Sequence, residues 1–588
     1  MNGAVPLPRP VLGIGVTGHR PERLSDCDPA RLAAAIGSAL DAIAAAAPSA
    51  APRMISAVAE GADSIVADAA LAHGWRLDVV LPFPREAYEL DFAEGPVRDV
   101  HVARLAGATA IFELPGDRDG EDGSATAYER AGRLVLAQSD VLLAIWDSRP
   151  ARGRGGAAQV VAEAVAQGLP VIHIDPAGRH PPRLLWSGLD EVDLGQQNVD
   201  TVARHGLERL PALFHDLIDP PADAGDQAMI GRFQSGRIGW RVGAIAYPLL
   251  LGVMGVRRPR RADLGLGPVT GPARSDIAAC AGAAGFATRI DEMLAPRFLR
   301  ADAVATRVAR LFRSGYVTNF TLAAMAVLLS MLSLALPATA KPALIVAELV
   351  VIAIILLVTH TGKHAGWHRL WLDNRAVAER LRCLALSAQL GDLDLRGAGE
   401  HRAPWVAWLT RATAREIGLP HASADAGYLD CVRAELLSLI DGQTRYLAGE
   451  ARRMHRLDHR LHLTGTILFA LTALACLVLL VVKTAYSLSP WLTTVQASVT
   501  VGVTIVSAAF PAIGAAIYGI RMQGDFAGVA DRSENLHRDL TTLHHVVEAD
   551  DSDFDTLSRR VRRVADLLAG DLGRWLQTYN ARPLALPG

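Results

Sequence analysis

The 588 residues exceed what one hydrophobic core organises, so two or three domains are expected. Hydrophobic residues make up 51% and charged residues 20%, which excludes a chain that is mostly membrane and fits a soluble part with a few spans. A net charge of -2 excludes a global field drawing in nucleic acid, so no nucleic-acid partner is expected.

Cys27, Cys280, Cys383, Cys431 and Cys476 are scattered and odd in number, with no CxxC or Cys/His spacing. Neither a disulfide framework nor a metal site is expected. The N-terminus has no charged start followed by an apolar core, so no signal peptide is read and the first domain is expected in the cytosol.

Within residues 9–218, strands at 11–16, 53–58, 76–81, 108–113, 141–146 and 169–174 alternate with helices at 29–47, 64–73, 127–138 and 157–167. That alternation predicts an α/β, Rossmann-like parallel sheet with ligands at the carboxyl ends of its strands. Polar clusters stand at those ends. Thr17, Gly18, His19 and Arg20 follow the first strand, and Glu60, Gly61 and Asp63 the second. Asp147 follows the fifth and leads through Arg152 and Arg154 into Gly155-Gly156 and a helix. A glycine-rich turn at a helix start lets backbone N–H groups approach an anion, and the two arginines add charge. The same turn also reads as a surface loop. Glu60 and Asp63 suit ribose hydroxyls, although Asp63 also reads as a helix cap. Together the clusters make a nucleotide pocket the expectation.

Residues 219–302 read as a connector, with a linker at 219–226 and a Gly/Pro-rich loop at 264–272. The apolar run 242–256 is short for a span and has arginines at both ends, so it reads as a buried or interfacial segment, with a fifth span as the alternative. Residues 303–400 and 401–588 read as two two-span modules forming an all-α membrane domain with four transmembrane helices in two hairpins and long cytosolic helices. Their apolar runs are 319–338 and 343–358, joined by a turn at Pro337, Lys341 and Pro342, then 464–482 and 497–519. The first run would span roughly 30 Å as a helix, matching a bilayer core. Arginines flank the hairpins, while their tips hold only Lys341 and Lys483, so the termini are expected on the cytosolic side of a cell or inner membrane. The hairpins look like a diverged repeat, each followed by a polar helix. Glu348 inside the second run either lines a conduit or sits at the outer interface. Pro511 marks either a hinge or a tolerated kink.

The succession GVTGHR, SAVAEGAD and SDVLLAIWD with a following RGRGG resembles the SLOG superfamily, a Rossmann-like group of phosphoribohydrolases, DNA-processing proteins and sensors of nucleotide-derived ligands. The resemblance covers roughly residues 9–180. It implies phosphate contacts from Thr17, Gly18, His19, Arg20, Gly155 and Gly156, and sugar contacts from Glu60 and Asp63. The hydrolase branch carries GGxGTxxE. Here Gly155-Gly156-Ala157-Ala158-Gln159 lacks the Gly-Thr, and Glu163 falls one residue late, a rotation of about 100° on a helix. The departure favours sensing over hydrolysis. The hairpins flanked by polar helices resemble the SLATT family, membrane effectors found beside SLOG domains in prokaryotic conflict systems. Together these imply a sensor of a nucleotide or ADP-ribose-type second messenger controlling a homo-oligomeric pore in the bilayer, with no bound cofactor. The competing expectation is a membrane-tethered nucleotide N-glycosidase, with Asp147, Glu60 or Glu163 as nucleophile or base.

Overall fold

A computed structural model describes residues 4–150, 154–188, 197–236, 244–258, 280, 283–393, 395, 403–488, 493–580 and 584. β1 (Val11–Gly18), β2 (Ala51–Ser56), β3 (Arg76–Leu81), β4 (Ala110–Glu113), β5 (Val141–Ile145) and β6 (Val171–Ile174) are short and largely buried, as parallel strands covered on both faces must be. They run parallel in the order β6-β5-β1-β2-β3-β4. The chain winds outward from β1 to β4, then returns to the other side of β1. The topological switch point therefore lies between β1 and β5, where their carboxyl ends diverge.

Helices α1 (Pro29–Ala46), α2 (Ala62–Ala72), α3 (Arg85–Tyr88), α4 (Pro96–Gly107), α5 (Gly120–Ala137), α6 (Ala157–Ala166) and α7 (Leu210–Ile218) surround the sheet. Asp28 starts α1 by accepting the N–H groups of Ala30 and Arg31, with Pro29 at the first helical position. Alternate strand residues point to opposite cores. Met54, Val79 and Ile111 join α1, α2 and α7 on one face. Their neighbours Ile55, Val80 and Phe112 join the helical part on the other.

Three strands lie outside the expected six. β7 (Arg183–Leu185) and β8 (Arg204–His205) extend the β6 edge antiparallel. β9 (Ala422–Ser423) pairs parallel with β4 from far down the chain. The helical part also grips the amino ends of the strands. Arg415, on α14 (Pro404–Ile417), reaches Asp140 at 2.8 Å, and the other oxygen of Asp140 accepts the Gly13 N–H. Gln138 donates to the Gly391 carbonyl at 2.6 Å.

The remaining elements are helices. α8 (Ala224–Ser235) begins inside the expected linker, capped by Asp223, and α9 (Ala246–Val253) buries Tyr247, Pro248 and Leu251 while exposing Leu249 and Val253. The expected loop at 264–272 lies outside the described residues. After α10 (Ala284–Arg289) come two units of like design. In the first, α11 (Ala295–Leu332) and α12 (Lys341–His364) form a hairpin, left-handed Gly366 breaks the chain, and α13 (Trp367–Ser387) packs back on α11. In the second, α15 (Ala426–Leu488) and α16 (Thr493–Gly524) form a hairpin, left-handed Asp525 breaks it, and α17 (Phe526–Ala549) packs back on α15. α18 (Phe554–Asn580) lies across α13 and α17. α15 runs 63 residues without interruption, and α16 runs through Pro511.

Among the described residues, five helical stretches are long and apolar enough to cross a membrane: Pro29–Ala46, Gly285–Leu332, Ala338–His364, Ala426–Thr484 and Thr500–Ala549. The first is α1, whose Leu32, Ile36, Leu40 and Ile43 are buried in the α/β core. On α12 and α15, by contrast, Ile345, Val346, Leu349, Leu356, Leu357, Leu474, Leu477 and Leu480 are all exposed. An apolar surface on that scale marks a membrane protein. Within the first hairpin, the buried Asn319 amide donates to Thr359 at 2.8 Å. Glu348 is half-exposed on α12, without an ion pair among the described residues.

One expectation about the cysteines is corrected. Cys280 and Cys431 form a disulfide across 151 residues of sequence, their Cα atoms 5.9 Å apart. The pair followed no spacing motif because tertiary packing brings Cys280 to α15.

Candidate functional site at the carboxyl ends of the strands

The rim begins where β1 ends. Gly18 lies so close to α2 that an added Cβ would fall 2.3 Å from the Ala62 Cβ. Gly61, at φ +106°, lies so close to the β1 loop that a Cβ would fall 2.6 Å from the His19 carbonyl. The Ala62 N–H donates to that carbonyl at 3.0 Å. These two glycines therefore lock the clusters Thr17–Arg20 and Glu60–Asp63 together.

His19 and Asp147 meet across the switch point. The Asp147 N–H donates to His19 Nε2 at 3.0 Å, and the carboxylate lies 2.9 Å from the same nitrogen. Burial lowers the pKa of His19, against the hydrogen bond and charge of Asp147, which favour its protonated form. Burial also acts to raise the Asp147 pKa, but the Arg149 N–H and His19 outweigh it and hold the carboxyl below its ordinary range. Arg23 stands 3.6 Å away. Asp147 is thus an internal anchor of the β1 and β5 loops.

Asp63 is buried and its Oδ1 makes no hydrogen bond. Burial pushes its pKa up to about 7, and the Arg20 charge and the backbone at Ala59 and Gly18 pull it back only in part. The buried Tyr88 hydroxyl is also unpartnered, and burial first, then the Asp63 charge, raise it well above its ordinary value. Buried polar atoms without partners are uncommon, and two on one rim point to a ligand or water. Glu60 is half-buried and makes no hydrogen bond or ion pair with the described residues. Thr17 is buried within β1.

Arg20 connects this group to the glycine turn. Its guanidinium lies 5.0 Å over the Tyr128 ring and 3.6 Å from Asp91. Tyr128 donates a short hydrogen bond to Asp91, which Arg118 also holds at 2.8 Å. On its other side, Tyr128 packs so tightly against Gly155 (φ +76°) that an added Cβ there would sit 2.9 Å from the Tyr128 Cβ. One residue of α5 therefore bridges Arg20 and the α6 turn. Sequence reasoning missed Tyr88, Asp91, Arg118, Tyr128 and Glu129. The one available signal was the aromatic-acid cluster Tyr88-Glu89-Leu90-Asp91-Phe92.

At the turn, Arg154 pairs with Glu129 at 2.8 Å, and the Gly155 N–H donates to the Gln159 side chain at 2.8 Å. Gln159 also reaches Glu129 and Glu163, and Arg133 joins both acids. Burial acts to raise the Glu129 pKa, but Arg154 and Arg133 outweigh it and lower it. Gly156 is the N-cap of α6 with no side-chain cap, and the N–H groups of Gly156, Ala157 and Ala158 have no acceptor among the described residues. A helix start with free N–H groups favours an anion. Arg152 lies outside the described residues.

Elsewhere, ligand atoms of His544, His545 and Glu548 on α17 lie within 4.8 Å of one another on the surface. His544 already faces Asp441 at 3.1 Å.

No family profile, curated protein or solved structure matches this chain.

Proposed function

We propose that this chain is a membrane-embedded sensor whose α/β part binds a nucleotide-derived, phosphate-bearing messenger and whose hairpins form an oligomeric pore. One observation carries the reading. The free N–H groups at the start of α6 share a rim with the unpartnered Asp63 Oδ1, the Tyr88 hydroxyl and Glu60. Phosphate would take the α6 N–H groups and Arg20. A ribose would face Glu60 and Asp63. The SLOG-like motif order supports the same assignment. α11, α12, α15 and α16 would be the four spans, with both termini and the α/β part in the cytosol, a placement the arginine distribution supports. A SLATT-like role in prokaryotic defence follows from the same pairing of parts.

Signal transfer has a direct route in this proposal. Arg130, adjacent to Glu129 on α5, pairs with Asp555 at the start of α18 and lies 5.6 Å over the Phe554 ring. The test is dye leakage from liposomes holding the full chain. A ligand shown to bind should change leakage, and Gly156→Asp should abolish the response. Saturating bound ligand without any change in leakage would end the proposal.

A second reading is hydrolysis of an N-glycosidic bond. Asp63 favours it, because a carboxyl titrating near neutral pH suits proton transfer. Asp147 and Glu163 are both tied into hydrogen bonds or ion pairs. Release of free base from a nucleotide panel, lost in Asp63→Asn, would place this reading first.

A further inference from the structure

A charged cavity lies in the helical part, away from the rim. It encloses about 300 Å³ between α9, α11, α13, α15, α17 and α18. Arg257, Arg310, Arg313, Arg375, Arg453 and Arg532 line it, against only Glu379, Glu450 and Asp571. Six cations face three anions on the lining, with Asp302 and Asp525 just behind it, so the balance stays positive.

Several of these cations are held. Arg375 pairs with Glu379 at 2.5 Å and with Asp302 at 3.3 Å. Arg453 pairs with Glu450 at 2.7 Å, and Arg532 with Asp525 at 3.2 Å. Arg310 and Arg313 make no ion pair among the described residues, although the Glu450 charge acts on Arg313. Arg313 lies over the faces of Tyr247 and Trp371, at 5.3 and 5.7 Å. Stacking fixes its plane and leaves its N–H edge for an acceptor.

The cavity also has an address. Arg313 lies six residues before the apolar run that begins at Asn319, about 9 Å along the helix. A basic groove lined by Arg445, Arg452, Arg453 and Arg456 shares Tyr446 and Arg453 with it and continues along α15 toward the apolar segment. The walls come from both hairpin units, so whatever neutralises the arginines also ties the two units together.

We propose that this cavity is a binding site for a phosphate group, held by Arg310 and Arg313 with support from Arg453 and Arg532. Arginine forks match phosphate oxygens in pairs, and the aromatic walls accept an attached apolar or ring moiety. The phosphate comes either from an anionic lipid headgroup at the membrane surface or from a free phosphate compound. The site stands independently of the rim.

The test uses the full chain in nanodiscs of zwitterionic lipid. In one arm pyrophosphate is titrated calorimetrically. In the other, bound lipid is counted by native mass spectrometry after transfer to discs containing phosphatidylglycerol. Binding in the first arm alone assigns a free compound, and retained phosphatidylglycerol assigns a lipid. Arg310→Gln breaks no ion pair, so the fold should survive it. The variant should bind the active probe roughly tenfold more weakly, and adding Arg313→Gln should abolish binding. Arg307→Gln, on the same helix outside the cavity lining, and the rim variant Gly156→Asp should leave it unchanged. Failure of wild type to bind either probe, or undiminished binding in folded Arg310→Gln, would overturn the proposal.

Discussion

At the scale of single residues, the rim is defined by groups held away from their usual states. Asp63 titrates near pH 7 in the folded chain against an ordinary 3.8. The folded state therefore holds the proton more tightly than the unfolded state between those values. Stability should be greatest below about pH 4 with respect to this group and fall as pH rises toward 7, by roughly 1.4 kcal/mol per unit at most. Asp63→Asn should flatten that slope in urea unfolding followed from pH 5 to 8. An unchanged slope would mean that Asp63 ionises freely. An ionised Asp63 also opposes an anion on the same rim, so phosphate ligands should bind more weakly at pH 8 than at pH 6 in wild type and equally in the variant. Gly61 makes a separate demand. Any side chain there meets the His19 carbonyl at φ +106°, so Gly61→Ala should cost roughly 1–3 kcal/mol of stability, read as a lowered urea midpoint.

At the scale of elements, the sequence made some features plain and hid others. Strand β3 falls on the expected residues because a bounded apolar run leaves one reading. The glycine turn before α6 and the polar ends of β1 and β2 were equally legible, since each stands at a strand-to-helix junction. α5 begins at Gly120, earlier than expected, because Gly120, Gly123, Ser124 and Thr126 are poor helix formers that tertiary packing overrides. That shift places Tyr128 and Glu129 two turns into the helix, where they bridge the site. β9 was illegible for another reason. Its two residues carry no pattern, and their partner β4 lies far back in the chain; α14, just before β9, docks on the sheet through Arg415. Arg415 and Asp140 are both almost fully buried, so Arg415→Ala leaves an uncompensated carboxylate. It should destabilise the chain by roughly 3–5 kcal/mol, whereas the double variant with Asp140→Asn should recover part of the loss. Equal unfolding midpoints for wild type and Arg415→Ala would contradict that role.

At the scale of the whole molecule, the α/β part is not a bead on a string. Its sheet takes a strand from residue 422, and Ile55, Val80 and Phe112 share one continuous core with the helices of the hairpin units. A change at the rim thus meets a packed interface, and the ion pair Arg130–Asp555 links α5 to α18. Arg130→Ala should leave ligand affinity within about twofold while shifting the leakage response to several-fold higher ligand, consistent with a lost coupling of about 1 kcal/mol. An unaltered leakage curve would remove this pair from the route.

The central claim is that the rim binds a phosphate-bearing, nucleotide-derived ligand. The most direct measurement is calorimetric titration of the full chain with NAD, ADP-ribose and its cyclic forms, cyclic di- and oligonucleotides, and AMP. Gly156→Asp is the decisive variant. Gly156 has extended backbone, and an aspartate at an N-cap satisfies the helix N–H groups with its own carboxylate. The variant should fold with undiminished stability yet present no free donors. The account predicts saturable binding of at least one ligand by wild type and its loss in Gly156→Asp, with Arg310→Gln unaffected. Absence of binding across the panel, or equal binding by wild type and Gly156→Asp, would contradict it.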